Sequence, residues 1–209
     1  MVDKNKIPEK KISRLILYRK LVRNLIEDGN ANVFSYKLAK MAGCSADQVR
    51  RDVMDIGCTG SNAHGYNLEE IFTGIDNYLD TCKNNKVVLV GAGNLGRSVL
   101  SYCDQRHSKI SIIAAFDRNK ELAGTVIQGC HCYHIDELRN FVKDNNIKVG
   151  IATVRSESAE GAVNELVNAG IKGILNFTPK QLNVPDNVYV ENVDMMMSLE
   201  KVIYITGNY

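Results

Sequence analysis

The 209-residue sequence has no apolar run approaching the roughly 18–20 residues needed to cross a membrane. Met1 to Lys6 has no apolar core behind it and is not expected to act as a secretion signal. The six cysteines are scattered, with neither C-x-x-C nor zinc-ribbon spacing, so reduced thiols in the cytoplasm are the expectation. There is no internal repeat and no low-complexity segment. What remains is an ordinary soluble composition, 44% apolar and 24% charged, in a chain long enough for one large or two small domains.

Charge is short of one sign only locally. The net charge is +2. Residues 1–60 hold 12 Lys/Arg against 7 Asp/Glu, and the remainder holds 14 against 17. A basic first part ahead of a mildly acidic one suggests that only the first part meets a polyanion; a solvated basic face is the plain alternative.

One stretch organises the rest. Val87-Val88-Leu89-Val90 is an apolar, mostly β-branched run that reads as a strand buried on both faces. Gly91, Ala92, Gly93, Asn94, Leu95 and Gly96 follow with G-x-G-x-x-G spacing. Gly91 permits the turn, Gly93 removes a side chain where a pyrophosphate comes close, and Gly96 lets the next helix lie on the sheet. The spacing alone is weak, since glycines also serve ordinary turns. A second apolar run from Ile110 to Phe116 ends in Asp117, 21 residues past Gly96, where a carboxylate accepts hydrogen bonds from an adenosine ribose. That pairing predicts a dinucleotide site with a preference for the free 2′-hydroxyl of NAD(H).

The chain then alternates. Strands are expected at about 86–90, 110–116, 130–133, 148–153 and 173–176, and helices at about 94–104, 135–145 and 156–169. This is a parallel, doubly wound sheet, with its crevice at the carboxyl ends of the strands. Those ends carry the glycine loop, Asp117 with Arg118, Thr153 with Val154 and Arg155, and Asn176 with Phe177.

Ahead of the sheet, residues 11–28 read as an amphipathic helix with Ile12, Leu15, Ile16, Leu21, Val22, Leu25 and Ile26 inward. Ser35 is placed to cap a short second helix that Gly43 ends. Ser45 opens a third with the capping-box pattern Ser45-x-x-Gln48. Val49, Val53 and Ile56 face inward there, leaving Gln48, Arg50 and Arg51 outward. Two short helices joined by a tight turn form a helix-turn-helix whose second member offers bonds to base edges and phosphates. The Gly-dotted stretch Gly57 to Tyr66 has the pattern of a β-hairpin wing, Asn67 to Leu79 is a fourth helix, and Thr81 to Asn85 is a polar linker. A small helical bundle with an incidental arginine pair is the competing reading.

Val193 to Thr206 is expected to be a last helix, apolar around most of its circumference, and such a terminal helix usually buries itself against something larger than its own subunit's surface. Asp194 near its start is a cap or a partner for a cation. Cys130-His131-Cys132-Tyr133-His134 invites a metal reading, but a strand splits these residues between two faces and no second ligand cluster exists; no metal is expected. His107 reads as a solvated loop residue. Tyr102, two turns into the glycine-loop helix, reads by default as core. No acid/base residue accompanies the strand ends, which counts against a nicotinamide-dependent oxidoreductase. Asp117 counts against a CoA-binding domain of the acyl-CoA ligase type.

The sequence resembles the Rex family of redox-sensing transcriptional repressors nearly end to end. The likeness rests on Ile12-Ser13-Arg14-Leu15, Gln48-Val49-Arg50-Arg51-Asp52 and Gly65-Tyr66. In the second half it rests on Val90 to Gly96, Phe116-Asp117, Ala169 to Pro179 and Glu191 to Asp194. The resemblance implies an N-terminal winged helix-turn-helix (1–84), a Rossmann NAD(H)-binding sheet (85–190) and a C-terminal helix swapped between the subunits of a homodimer (191–209). It implies a non-enzymatic repressor that holds operator DNA when NADH is scarce and releases it on binding NADH. DNA contacts are then expected from Arg14, Ser45, Gln48, Arg50, Arg51, His64, Gly65 and Tyr66. Tyr102 becomes a hydrogen-bonding partner of Asp194 from the other subunit, in competition with Arg19 or Lys20. Three departures stand out: Lys20 where the family has an arginine, Ser61-Asn62-Ala63-His64 in a wing that is normally basic, and Val154-Arg155 in place of Val-Pro.

Overall fold

The computed structural model describes residues 7–79, 85–104 and 110–207. Residues 81–84 of the expected linker and His107 lie outside the described residues. The chain divides into two compact units, residues 1–83 and 84–209.

The first unit contains α1 (Glu9–Glu27), β1 (Asn32–Val33), α2 (Ser35–Ala42), α3 (Ala46–Asp55), β2 (Tyr66–Asn67) and α4 (Leu68–Leu79). The core stripe of α1 is Leu15, Tyr18, Val22 and Leu25, packed with Leu38, Val49, Val53, Leu68, Ile71 and Ile75. This corrects the inward set expected from sequence. Tyr18 is fully buried and Ile16 is 46% exposed. Tyr18 sits three residues after Leu15 and four before Val22, directly on the stripe, whereas Ile16 is turned about 100° off it.

Gly43 ends α2 with φ +66 and hands the chain to α3. Phe34, not Ser35, holds the N-cap position of α2; Ser35 is the first helical residue and its hydroxyl accepts from Arg50 Nη1 at 3.1 Å. Ser45 does cap α3, accepting the Gln48 N–H at 3.2 Å. The Gln48 side chain donates to Asp52 instead of reaching back, so only half of the capping box forms. β1 and β2 pair antiparallel, and a bridge between Ser61 and Gly65 closes the turn of the wing.

The second unit contains β3 (Asn85–Val90), α5 (Asn94–Asp104), β4 (Ile110–Asp117), β5 (Val126–Ile127), β6 (Cys130–His134) and α6 (Leu138–Asp144). It continues with β7 (Val149–Ala152), α7 (Ala159–Asn168), β8 (Gly173–Asn176), β9 (Tyr189–Asn192) and α8 (Met195–Gly207). Single 3₁₀ turns at Ile135–Glu137 and Ser156–Ser158 lead into α6 and α7, so these helices start later than their periodicity predicts. The seven strands run in the order β5-β6-β4-β3-β7-β8-β9. All neighbours are parallel except the β5–β6 pair. β5 and β9, both at edges, were not expected from the pattern.

β3 lies between β4 and β7, so the connections from it leave in opposite directions and open a crevice at its carboxyl end. Alternate residues of β3 serve two cores. Val88 and Val90 join Phe116, Leu138, Val163 and Leu166 on one face; Val87 and Leu89 join Leu100, Cys130 and Cys132 on the other. No helix of the described residues is long and apolar enough to cross a membrane. Every residue of α8 is exposed, including Met195, Met196, Met197, Leu199, Val202, Ile203 and Ile205.

Candidate dinucleotide site and DNA-binding surface

The three glycines of the loop do different things. Gly91 adopts φ +103, and a Cβ there would stand 2.8 Å from Val154 Cγ1. A Cβ on Gly96 would stand 2.0 Å from the Gly91 carbonyl oxygen, so α5 approaches the loop too closely for any other residue. Gly93 has nothing within 4 Å of that position. Gly91 and Gly96 are required by the fold; Gly93 faces open space, which is what a bound pyrophosphate needs.

Asp117 secures this loop from the neighbouring strand. Its Oδ2 accepts the Ala92 N–H at 2.8 Å and its Oδ1 accepts the Asn119 N–H at 2.9 Å. Thr153, at the end of β7, donates through Oγ1 to the Gly91 carbonyl at 2.8 Å. The loop is therefore held on both sides before any ligand arrives. A cavity of about 320 Å³ opens over it. Val90, Gly91, Gly93, Asp117, Arg118, Thr153, Val154 and Arg155 line it, as the strand-end reading anticipates, and Asn119, Leu122, Ile135, Ser158 and Ala162 complete it. The last five were missed. Ser158 and Ala162 sit four apart about the start of α7, a spacing that places both on one helical face and was the available signal.

Arg118 reaches across to α7, where a Cβ on Gly161 would stand 2.8 Å from its Nη2. Asn176 and Phe177 do not line the cavity. Asn176 is fully buried: its Nδ2 donates to Asn192 Oδ1 at 2.8 Å and to the carbonyls of Thr178 and Lys180, and its Oδ1 accepts from Thr178. It ties the end of β8 to the loop that follows and to the end of β9.

Cys130 and Cys132 point into one core face, and burial with its neighbour Cys132 pushes the Cys130 thiol up to about 11. Burial, followed by the charge of Asp117, raises Cys132 as well. Both are poor ligands and poor nucleophiles there. Among the described residues no trio of His, Cys, Asp and Glu comes together.

In the first unit Asp52, only 2% exposed, is a hub. It takes Arg14 through a fork (Nε to Oδ2 at 2.7 Å, Nη2 to Oδ1 at 3.0 Å), Gln48 Nε2 at 3.0 Å and the Tyr18 hydroxyl at 3.2 Å. Burial raises its carboxyl, but the bond and charge of Arg14, then Gln48 and Tyr18, outweigh it, and the net shift is down. Two residues expected at DNA, Arg14 and Gln48, are thus engaged by an interior carboxylate. Arg50 is held by Ser35 and Asp47, while Arg51, exposed, makes one long bond to the Asp47 carbonyl. In the wing His64 donates its N–H to Ser61 Oγ at 3.0 Å. Gly65 adopts φ +73 beside the Val33 carbonyl, and Tyr66 is half-buried against Gly60.

Of the two candidate switch cations, Arg19 is paired with Asp76 at 3.1 Å and Lys20 is exposed. Asp194 Oδ1 accepts the Met197 N–H at 3.0 Å and so caps α8, which begins two residues later than expected. Tyr102, taken by default as core, is 56% exposed on α5.

A helix-turn-helix unit ahead of a Rossmann sheet defines a DNA-binding protein with a built-in dinucleotide fold. Comparison with known proteins agrees. Residues 6–53 match the family model described as a putative DNA-binding protein N-terminus, and residues 82–180 match the CoA binding domain model. The redox-sensing transcriptional repressor Rex of Listeria welshimeri is 35% identical over 209 residues, covering 100% of this chain and 97% of that protein. Rex of Lactobacillus acidophilus is 36% identical (97% and 96%), and Rex of Bacillus subtilis 35% identical (99% and 95%). Among solved structures, the Rex-family repressor RSP in complex with β-NAD⁺ and operator DNA superposes with a TM-score of 0.87 at 31% identity, over 97% of this chain and 93% of that one. RSP in complex with β-NADH gives 0.85 at 30% identity, over 97% and 95%. The chain belongs to the Rex family of redox-sensing transcriptional repressors.

Proposed function

We propose that this chain is a cytoplasmic, non-enzymatic repressor that binds operator DNA as a homodimer, senses the NADH/NAD⁺ ratio and releases DNA when NADH binds. The observation that carries the reading is the cradle at Gly93: open space above a glycine loop that Asp117 and Thr153 already hold in shape. NAD(H) fits it chemically. The N–H groups at the start of α5 meet the pyrophosphate beside Gly93, and Asp117 keeps acceptor capacity for ribose hydroxyls. When bound, the nicotinamide supplies the redox signal; the protein's own residues only distinguish its two states.

Ligand changes DNA affinity only by favouring one dimer geometry. The apolar, fully exposed α8 supports a swapped helix that a second copy covers. Asp194 at its root is then the switch, facing the partner's Lys20 or the partner's Arg19 in the DNA-bound form and the partner's Tyr102 in the NADH-bound form. Arg51 is the cation on the recognition helix with least to hold it, and is the strongest candidate for base or phosphate contact. Domain limits of 1–84, 85–190 and 191–209 follow from this reading.

A gel-shift titration on promoters of the host's fermentation and respiration genes tests it. NADH should release the complex while NAD⁺ leaves it. A complex that survives saturating NADH overturns the proposal.

A further inference from the structure

We infer that the same cavity is also a binding site for adenine nucleotides that lack nicotinamide, ADP and ATP, and that these set the NADH concentration at which the protein responds. The inference rests on the sensing reading above and extends it to a second ligand class.

The cavity supplies within one chain what an adenine nucleotide needs. Leu122, Ile135, Val154 and Ala162 offer apolar walls to a flat base, Asp117 offers a carboxylate to a ribose, and the Gly91–Gly93 backbone borders open space for two phosphates. Arg118 extends to Gly161, whose missing side chain leaves room for the guanidinium, a group that stacks well on a purine face. Arg155 lines the same cavity. Asn176, expected beside the cofactor, spends its amide on Asn192, Thr178 and Lys180, and neither it nor Phe177 lines this cavity. The contacts the cavity offers are thus those for a base, a ribose and phosphates.

Charge acts in the same direction. The cavity side chains include two guanidiniums against one carboxylate, and that carboxylate is already accepting two backbone N–H bonds. A net positive mouth favours the more anionic ligand, and ADP and ATP carry more negative charge than NAD⁺ or NADH. An occupant without nicotinamide fills the cavity yet delivers no redox signal. By linkage it raises the apparent Kd of NADH by the factor one plus its concentration over its own Kd.

The test titrates the full-length protein with NADH, followed by NADH fluorescence, in the presence of ADP, ATP, GTP or inorganic pyrophosphate. ADP and ATP near 1 mM should raise the apparent Kd of NADH by about tenfold or more, which simple competition gives for a nucleotide Kd of roughly 0.1 mM or below. Pyrophosphate, which brings no base to the walls, and GTP, whose guanine brings extra polar groups that apolar walls leave unpaired, should leave it within about twofold. On a gel shift at fixed NADH, added ADP should restore the DNA complex. Calorimetry of ADP on the protein alone should show binding that R118A weakens about tenfold. An NADH titration that ADP does not move, or that GTP moves equally, overturns the inference. ADP binding measured on a protein that fails to bind NADH would instead sink the sensing reading and leave the adenine-nucleotide site standing.

Discussion

Asp117 Oδ2 accepts the backbone N–H of Ala92 at 2.8 Å, so the residue placed to recognise a ribose is also a strut of the glycine loop. Its two roles separate by substitution. D117A should weaken NADH at least about tenfold and destabilise the second unit by about 1 kcal/mol, the typical net worth of a partly exposed hydrogen bond. The native protein should prefer NADH to NADPH, because the carboxylate repels a 2′-phosphate. Calorimetry decides the point: NADPH binding as tightly as NADH would show that Arg118 and Arg155 override Asp117.

Asp52 holds Arg14, Gln48 and Tyr18 together, and its removal leaves Arg14 without its fork. D52A should destabilise the N-terminal unit by about 3 kcal/mol, as for a broken, largely buried ion pair. The Asp52 carboxyl is held below its ordinary value in the folded state. Its stabilising contribution is therefore complete above the ordinary carboxylate range and is lost as pH falls through the folded value. Acid unfolding followed by circular dichroism should show this acid limb in the native protein and a shallower one in D52N.

Arg51 is exposed on α3, with one long bond to the Asp47 carbonyl. R51A should lower operator affinity by about 1–3 kcal/mol and relax the preference at one base pair if the side chain reads a base. If it meets only phosphate, the salt slope should fall by about 1 with preference unchanged. An unchanged affinity and slope would mean that α3 is not the recognition helix.

Asp194 caps α8 in this structure, so its capping and switching roles must be told apart. D194A removes both, with a capping cost of about 1 kcal/mol. D194S keeps an N-cap oxygen and loses the charge. If Asp194 is the switch, D194S and Y102F should both fold and bind NADH yet need more NADH to release DNA. K20A should do more than R19A, since Arg19 is already paired with Asp76. Wild-type release by D194S would reduce Asp194 to a cap.

Much of the molecule is local in origin and was legible for that reason. The glycine loop, the buried strand before it, the Ser45 cap, the Gly43 bend and the 21-residue interval to Asp117 each depend on neighbours in sequence. Backbone sterics and hydrophobic periodicity act over that range, so residue type and spacing suffice to read them.

The rest depends on residues far apart in the chain. The sequence determined a DNA-binding-type unit, a parallel sheet with a dinucleotide loop, and an apolar last helix. Only the tertiary structure decided that Arg14 and Gln48 turn to Asp52 and that Asn176 serves the loop and β9 instead of the cavity. Each of these outcomes follows from which polar groups meet once the elements pack. A buried donor or acceptor must find a partner wherever the fold puts one, and no spacing in the sequence records that choice.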